Sequence, residues 1–250
     1  MSKWKIKKNF NNNKTIMQKI ILTYKKKLIK HIVNQYKKNN PKILDVGCGM
    51  GDSLKFCENY SNKLYGIDIS KSRINYASKK VKAQFKVGYI TKLPYQSNFF
   101  DIVIIMRTLQ HIIDNNHRKK VISEIFRVTK KGGIILIDEE CMTLLNYFKF
   151  FFINNNFIRY INIKETKNIF SNLGADDVDI KIDKNLNFIF FLKQIIYIIT
   201  FPFVFYKGKN KAIELSNKFV FIFVRFSNWC NAYKLFPSIF CSWKSLIIKK

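Results

Sequence analysis

Short apolar runs that alternate with helical segments constrain the fold of this 250-residue chain more than any other feature. From Lys42 onward the runs are KILDV, KLYGID, AQFKV, DIVIIM and GGIILID, with helices predicted between them at about 52–60, 70–81 and 117–129. Such runs, separated by helices, are typical of a parallel sheet buried on both faces. The sequence therefore predicts a doubly wound α/β domain, whose ligand binds at the carboxyl ends of the strands.

Further elements are predicted on both sides of this series. Residues 15–38 carry apolar side chains at steps of three and four, which indicates an amphipathic basic helix that ends before Pro41. A helix at 164–173, an alternating strand at 177–183 and a last strand at 241–248 follow. These segments extend the predicted domain well beyond the central series.

The stretch ILDVGCGMGD, residues 43–52, joins a strand to a helix through a glycine-rich loop. Glycines at 47, 49 and 51 let the backbone turn sharply and approach a ligand closely. Asp45 precedes the loop, and Asp68 ends the next strand, where an acid can accept hydrogen bonds from ribose hydroxyls. The pattern predicts a nucleoside site. Asp52 stands where GxGxxG has its third glycine, which disfavours a pyrophosphate site and makes a nicotinamide-dependent oxidoreductase the weaker alternative.

The acid-x-Gly-x-Gly-x-Gly order resembles that of class I S-adenosylmethionine-dependent methyltransferases. The resemblance covers about Lys42 to Glu139 and is closest to the small-molecule branch that includes quinone and sterol methyltransferases. Its further landmarks are Val87-Gly88, Leu93-Pro94-Tyr95, Phe100-Asp101-Ile102-Val103, Leu109-Gln110-His111-Ile112, Glu124-Ile125-Phe126-Arg127-Val128 and Lys130-Lys131-Gly132-Gly133.

This resemblance implies a Rossmann-like, seven-stranded, doubly wound sheet and direct transfer of a methyl group from S-adenosylmethionine. The family usually has Gly-Asp after the third strand. Here Gly88-Tyr89 stands there, so adenine is expected to stack on Tyr89 or to meet the backbone near Ile90. The expected cofactor contacts are Asp45, Gly47, Cys48, Gly49, Gly51, Asp68, Ile69, Tyr89, Ile90 and Met106.

His111, just beyond the fourth strand, is the best-placed titratable group to act as a general base if the acceptor must lose a proton. The alternative is a loop histidine that bonds a backbone carbonyl. Glu139 and Glu140 follow the fifth strand and either accept a proton or cap the next segment. Arg107 is placed either to clamp an anionic group of the substrate or to lie in solvent.

The cysteines and histidines do not indicate a metal site. Five cysteines occur at irregular spacing without a CxxC pair, and the chain has only three histidines. No disulfide framework is predicted either. The polar, basic start of the chain does not read as a secretory signal, so a cytoplasmic location is expected.

The net charge of +29 lies mostly at the two ends of the chain. Residues 1–42 carry +13, residues 43–192 carry +7 and residues 193–250 carry +9. We predict a basic N-terminal helix at 1–41, a methyltransferase core at 42–185, a hydrophobic basic insertion at 186–238 and a final core strand at 239–250. A/T-rich codons would also enrich lysine, so the charge alone does not indicate a partner.

The insertion is predicted to be helical and aromatic-rich, because residues 186–206 and 219–226 are dense in Phe and Ile among lysines. Such segments favour an anionic membrane surface and a lipid-linked or other small-molecule acceptor, with a peripheral membrane location. A soluble lid and an inserted hairpin are the alternatives. Met106-Arg107-Thr108-Leu109 replaces the Asp/Asn-Pro-Pro-Tyr/Phe motif of base methylation, which disfavours nucleic acid. An RNA or glycan methyltransferase and a catalytically silent adaptor at a membrane surface remain alternative functions.

Overall fold

A computed structural model describes residues 16–36, 39–140, 162–181 and 243–250 of the chain. The helices are α1 (Ile16–Tyr36), α2 (Asp52–Cys57), α3 (Lys71–Ser78), α4 (Asn115–Val128) and α5 (Ile163–Asn172). The strands are β1 (Ile43–Val46), β2 (Leu64–Asp68), β3 (Gln84–Val87), β4 (Phe100–Met106), β5 (Thr129–Glu140), β6 (Asp177–Lys181) and β7 (Trp243–Lys249). The helices and strands predicted within the described residues are present, although α2 and α3 end three residues earlier than expected.

The seven strands form a single sheet in the order β3-β2-β1-β4-β5-β7-β6. The strands from β3 to β5 are parallel to their neighbours, whereas β7 runs antiparallel to both β5 and β6. The central series is parallel, as the sequence predicts, and β7 makes the sheet as a whole mixed. β7 lies between β5 and β6, so the last strand of the chain is not an edge strand.

Helices cover both faces of the sheet, as the doubly wound prediction requires. Alternate residues of β4 point to opposite faces: Ile102 and Ile104 pack with α1, α2 and α3, while Val103 and Ile105 pack with α4 and α5. Every residue of β4 is buried. This two-sided burial explains the continuous apolar runs in the sequence.

Helix α1 belongs to the same core as the sheet. Ile29 and Ile32 are fully buried, and the hydroxyl of Tyr36 donates to Asp101 in β4. In the first half of the helix, the Tyr24 hydroxyl lies 2.6 Å from Ser245 Oγ in β7. The basic N-terminal helix therefore covers one face of the sheet and reaches both of its ends.

The predicted insertion at 186–238 and the apolar stretch at 144–152 lie outside the described residues. Among the helices that the structure describes, none is long and apolar enough to span a bilayer.

Candidate active site

The glycine loop after β1 is built on left-handed backbone conformations. Gly47, Gly49 and Gly51 have φ angles of 73°, 53° and 80°. A Cβ on Gly47 would lie 2.4 Å from Thr108 Oγ1, so the loop packs directly against the turn that follows β4. A Cβ on Gly49 would meet nothing within 4 Å, so this part of the loop borders open space. Gly51 packs against α3 instead, near Ala77.

Hydrogen bonds fix this loop to the end of β2. The N–H groups of Gly47 and Cys48 donate to the carbonyl of Ile67 at 2.8 and 3.0 Å. Asp68 accepts one N–H bond on each carboxylate oxygen, from Gly49 at 2.9 Å and from Ser70 at 2.9 Å. A carboxylate accepts about four hydrogen bonds, so Asp68 can hold two loops together and still accept from a ligand.

A cavity of about 290 Å³ opens at the carboxyl ends of β1 and β4. The structure brings six of the predicted site residues into its lining: Asp45, Gly47, Cys48, Gly49, Met106 and His111. They come from two separate segments of the chain, residues 45–49 and 106–111, which only the fold places side by side.

The other predicted cofactor contacts lie outside this lining. Gly51 and Asp68 lie just behind the loop, and Ile90 packs partly buried against the core. Ile69 and Tyr89 follow β2 and β3 and are 63% and 71% exposed. These large apolar side chains at two adjacent strand ends form an open surface beside the loop rather than a closed pocket.

Several lining residues were not predicted from the sequence. Lys25 reaches the cavity from α1, Arg73 from α3, and Asp52 with Ser53 from the start of α2, where Met50 also contributes. The amphipathic pattern of α1 marks a polar face but does not distinguish Lys25 from the lysines beside it. Arg107, for which the sequence left two roles open, lies in the lining.

The charge state of Asp45 is set by its burial. Asp45 is 2% exposed, and burial raises its pKa to about 7. The positive charge of Lys25 lowers this pKa, while the negative charges of Asp68 and Asp52 raise it. Asp45 is therefore poised to gain negative charge when a cation binds beside it.

The two cysteines in this region are structural thiols. Burial raises the pKa of both Cys48 and Cys57 well above the ordinary value, so neither is a thiolate nucleophile at neutral pH. Both are free. Within the described segments, no cluster of three or more His, Cys, Asp or Glu could hold a metal ion.

Glu139 anchors the turn between β4 and α4 that carries the predicted base. Its Oε1 accepts the N–H groups of Thr108 at 2.7 Å and Leu109 at 2.8 Å, and its Oε2 accepts that of Gln110 at 3.4 Å. Glu139 is fully buried; burial raises its pKa to about 8, although these N–H donors oppose the shift. Glu139 thus caps a turn that lies earlier in the chain, and not the segment after β5 that the sequence suggested.

His111 ends the short 3-10 helix Leu109–His111 that Glu139 holds. Its side chain is exposed and lines the cavity. The ring Nε2 lies 3.5 Å from Gln110 Nε2. The position suits contact with a bound molecule, since the ring reaches the cavity from the side of β4 and β5.

The site as a whole fits a ligand that has a sugar and a cationic part. The open space at Gly49 admits close backbone approach, Asp68 retains acceptor capacity, and Asp45 offers a buried carboxyl group. The lining lacks the glycine that a pyrophosphate loop would have at position 52. These features agree with a nucleoside ligand without a diphosphate.

Comparison with known proteins supports this description. Residues 44–137 match the family model described as a methyltransferase domain. The chain is 41% identical over 95 residues to the tRNA (carboxymethyluridine(34)-5-O)-methyltransferase of Arabidopsis thaliana, covering 38% of this chain and 23% of that protein. It is 33% identical over 110 residues to a phosphoethanolamine N-methyltransferase of Triticum aestivum, covering 42% and 21% of the two chains.

A third relative is the ubiquinone/menaquinone biosynthesis C-methyltransferase UbiE of Campylobacter jejuni, 29% identical over 126 residues and covering 47% of this chain and 52% of that protein. The chain thus spans about half or less of the length of these curated relatives. Among solved structures, an S-adenosylmethionine-dependent methyltransferase from Archaeoglobus fulgidus has the same fold, with a TM-score of 0.59 at 18% identity over 92% of this chain and 94% of that one.

Proposed function

Because residues 44–137 place this chain in the class I S-adenosylmethionine-dependent methyltransferases, we propose that it transfers a methyl group from S-adenosylmethionine to a small or lipid-associated acceptor. The observation that carries the proposal is that the glycine loop, Asp45, Met106 and His111 line the same cavity. The loop and the end of β4 there line one space, as a transfer between two bound reactants requires.

The chain's own residues account for binding of this cofactor, whose sulfonium supplies an already activated methyl group. The loop at Gly47 and Gly49 would provide close backbone contact, and Asp68 would accept hydrogen bonds from the ribose. Ile69, Tyr89 and the backbone at Ile90 would border the adenine. Asp45 would lie near the cationic methionine part, where a positive charge favours its ionised form.

The main work of the protein is to align the acceptor and to exclude water. Holding two reactants in line contributes roughly 7 to 11 kcal/mol of barrier lowering. Met106, which is 6% exposed at the end of β4, forms part of the wall of the cavity in which the two reactants would meet. His111 takes a proton from the acceptor at its imidazole if the acceptor atom carries one.

Calorimetry with S-adenosylhomocysteine tests the cofactor half of the proposal. We expect binding by the wild-type protein and loss of binding in Asp45→Leu, with Cys57→Ser as a buried control outside the cavity. Absence of heat with the wild-type protein would favour a cofactor-free adaptor.

A labelled-methyl assay on fractionated cell extract tests the acceptor half. We expect the label in lipids or small soluble metabolites. An RNA acceptor is the second candidate, favoured by the 41% identity to a tRNA methyltransferase, and label confined to RNA would replace the first proposal by this one.

His111→Gln tests the proposed base. If His111 removes a proton, turnover falls by about 10²- to 10⁴-fold while affinity for S-adenosylhomocysteine is unchanged. His117→Gln is the matched control, because His117 is exposed on α4 outside the cavity. Equal turnover in the two variants would show that His111 is not the general base.

Membrane association is proposed from the sequence of residues 186–238. Flotation of the full chain with vesicles tests it. We expect binding to vesicles that contain anionic lipid and release at high salt, because lysine attraction to head groups is screened by ions. Equal recovery with purely zwitterionic vesicles would contradict the electrostatic part of the proposal, and no flotation with either would contradict all of it.

A further inference from the structure

Three cationic side chains line the cavity from segments far apart in the chain: Lys25 on α1, Arg73 on α3 and Arg107 immediately after β4. The cofactor has one carboxylate of its own, and Arg73 lies on the helix that packs against Gly51 of the glycine loop, on the cofactor side. The charges of Lys25 and Arg107 therefore bear on the second reactant.

Hydrogen bonds tie the two segments that carry Lys25 and Arg107 to the carboxyl end of β5. The backbone N–H of Arg107 donates to the carbonyl of Asp138 at 2.8 Å. On the other side, Tyr24, the neighbour of Lys25, lies 2.6 Å from Ser245 Oγ, which donates to Asp138 Oδ1 at 2.6 Å. Asp138 is thus the common anchor of the two segments that supply the cations.

Arg107 is held in a conformation that an arginine rarely adopts. Its φ angle is 55°, in the left-handed region, which costs a non-glycine residue about 1 kcal/mol or more. Glu139 fixes the next three N–H groups, so the surrounding turn imposes this conformation. A strained residue at a cavity is characteristic of a functional position.

The anionic groups of the cavity lie on its other side. Asp45 belongs to β1 and Asp52 to α2, both beside the glycine loop. Lys25 acts electrostatically on Asp45 and so stands between the two sides, whereas Arg107 and His111 border the side of β4 and β5. Both acidic residues of the lining therefore lie next to the loop, where the α3 arginine also lies, and the side next to β4 is basic.

We infer that the methyl acceptor is a small molecule with an anionic group, a phosphate or a carboxylate, which binds between Lys25 and Arg107. Ion pairing at this position orients the acceptor so that its nucleophilic atom faces the glycine loop. This inference deepens the proposed function and rests on it. A guanidinium matches a phosphate or carboxylate through paired N–H donors, and the lysine adds a point charge.

The test uses the full-length protein with and without saturating S-adenosylhomocysteine, and inorganic phosphate and acetate as probes. The measured quantities are the thermal midpoint, with chloride at matched ionic strength as the reference, and the line width of phosphate by phosphorus NMR. The variants are Lys25→Met and Arg107→Gln. Lys26→Met is the matched control, since Lys26 is exposed on the same helix outside the cavity. Arg107→Lys retains the charge.

We expect phosphate or acetate to raise the midpoint more than chloride does, and we expect each charge-removing variant to weaken that binding by about tenfold. Lys26→Met keeps the wild-type affinity, and Arg107→Lys recovers part of it. A larger effect of phosphate identifies a phosphate-bearing acceptor, and a larger effect of acetate identifies a carboxylate.

The inference is overturned if neither anion exceeds chloride, or if Lys26→Met weakens binding as much as Lys25→Met. It is also overturned if saturating S-adenosylhomocysteine abolishes the effect of both anions, because the two cations then hold the carboxylate of the cofactor. Anion binding without S-adenosylhomocysteine binding would instead reject the methyltransferase proposal while keeping the anion site, so the two failures are distinguishable.

Discussion

Two buried carboxyl groups lie at opposite ends of the central strands and are held in opposite ways. Asp101, at the amino end of β4, accepts from Lys130 Nζ at 2.7 Å, from the Lys42 N–H at 2.7 Å and from the Tyr36 hydroxyl. Burial opposes its ionisation, but these hydrogen bonds outweigh it and hold the pKa of Asp101 below its usual value. Glu139, at the carboxyl end of β5, is bonded to backbone N–H groups.

The difference separates an end of the sheet that stabilises the fold from the end where the active site is proposed. At the amino end a lysine neutralises Asp101, and the carboxylate pins α1 to β4 and β5 at every ordinary pH. At the carboxyl end the pKa of Glu139 is raised to about 8, so the turn that carries His111 is anchored by a group whose charge changes near neutrality. The hydrogen bonds that stabilise the fold and the proposed active site thus lie at different ends of the same strands.

The largest effect is expected from removing the charge of Asp101. Asp101→Asn removes the charged acceptor of three hydrogen bonds and costs about 2 kcal/mol of unfolding free energy, because water solvates the half-exposed Lys130 in part. Affinity for S-adenosylhomocysteine is retained. Glu139→Gln keeps an oxygen for Thr108 and Leu109, so it costs less stability but lowers turnover and alters its pH profile near pH 8. Urea unfolding measures the stability of both variants, and turnover measured against pH tests the effect of Glu139→Gln. Equal losses of stability with unchanged turnover would abolish the distinction.

Two glycines with left-handed backbones provide the next comparison. A Cβ on Gly49 or on Gly132 would meet nothing within 4 Å, yet Gly49 borders the cavity and Gly132 lies at the amino end of the sheet. Alanine at either position costs about 1 kcal/mol of stability. Only Gly49→Ala should weaken S-adenosylhomocysteine binding, by about 10- to 100-fold, because its Cβ enters ligand space. Calorimetry measures the affinity of both variants for S-adenosylhomocysteine, and equal affinities would show that the loop is not part of the binding site.

The pH dependence of stability sharpens the comparison further. Asp45 and Glu139 keep their protons in the folded protein up to about pH 7 and 8, whereas the unfolded chain releases them near pH 4. Each group therefore lowers the unfolding free energy, by up to about 1.4 kcal/mol per pH unit, as pH rises through this window. Asp101 acts in the opposite direction, since its contribution is lost in acid.

Urea unfolding at several pH values measures this slope. Glu139→Gln should flatten the decline between about pH 5 and 8. An unchanged slope in this variant would show that Glu139 is already ionised in the folded protein.

The smallest effect is expected at Lys250, which reinforces the amino end. Its Nζ donates to the carbonyls of Phe126 at 2.5 Å and Thr129 at 2.7 Å, at the carboxyl terminus of α4. Lys250→Met should cost about 1 kcal/mol in urea unfolding, and Lys249→Met, at an exposed position, much less. Comparable losses in the two variants would show that the α4 cap contributes nothing.

The sequence by itself determined the elements and the position of the loop. Burial on both faces requires continuous apolar runs, and a strand-to-helix turn with left-handed residues requires glycines, so both leave local signatures. Asp45 and Asp68 could be placed for the same reason, since each has a fixed position relative to a strand end. Nothing in local periodicity revealed that β7 is antiparallel.

Only the tertiary structure decided what surrounds the loop. Lys25 and Arg73 reach the cavity because of how α1 and α3 pack, and a helical pattern does not tell one exposed cation from the next. The hydrogen bonds of Glu139 also depend on the tertiary structure, because the three N–H groups that donate to it lie about thirty residues earlier in the chain. Elements follow from short-range sterics and hydrophobic spacing. The basic side of the cavity and the anchored turn follow from contacts that exist only once the strands are paired.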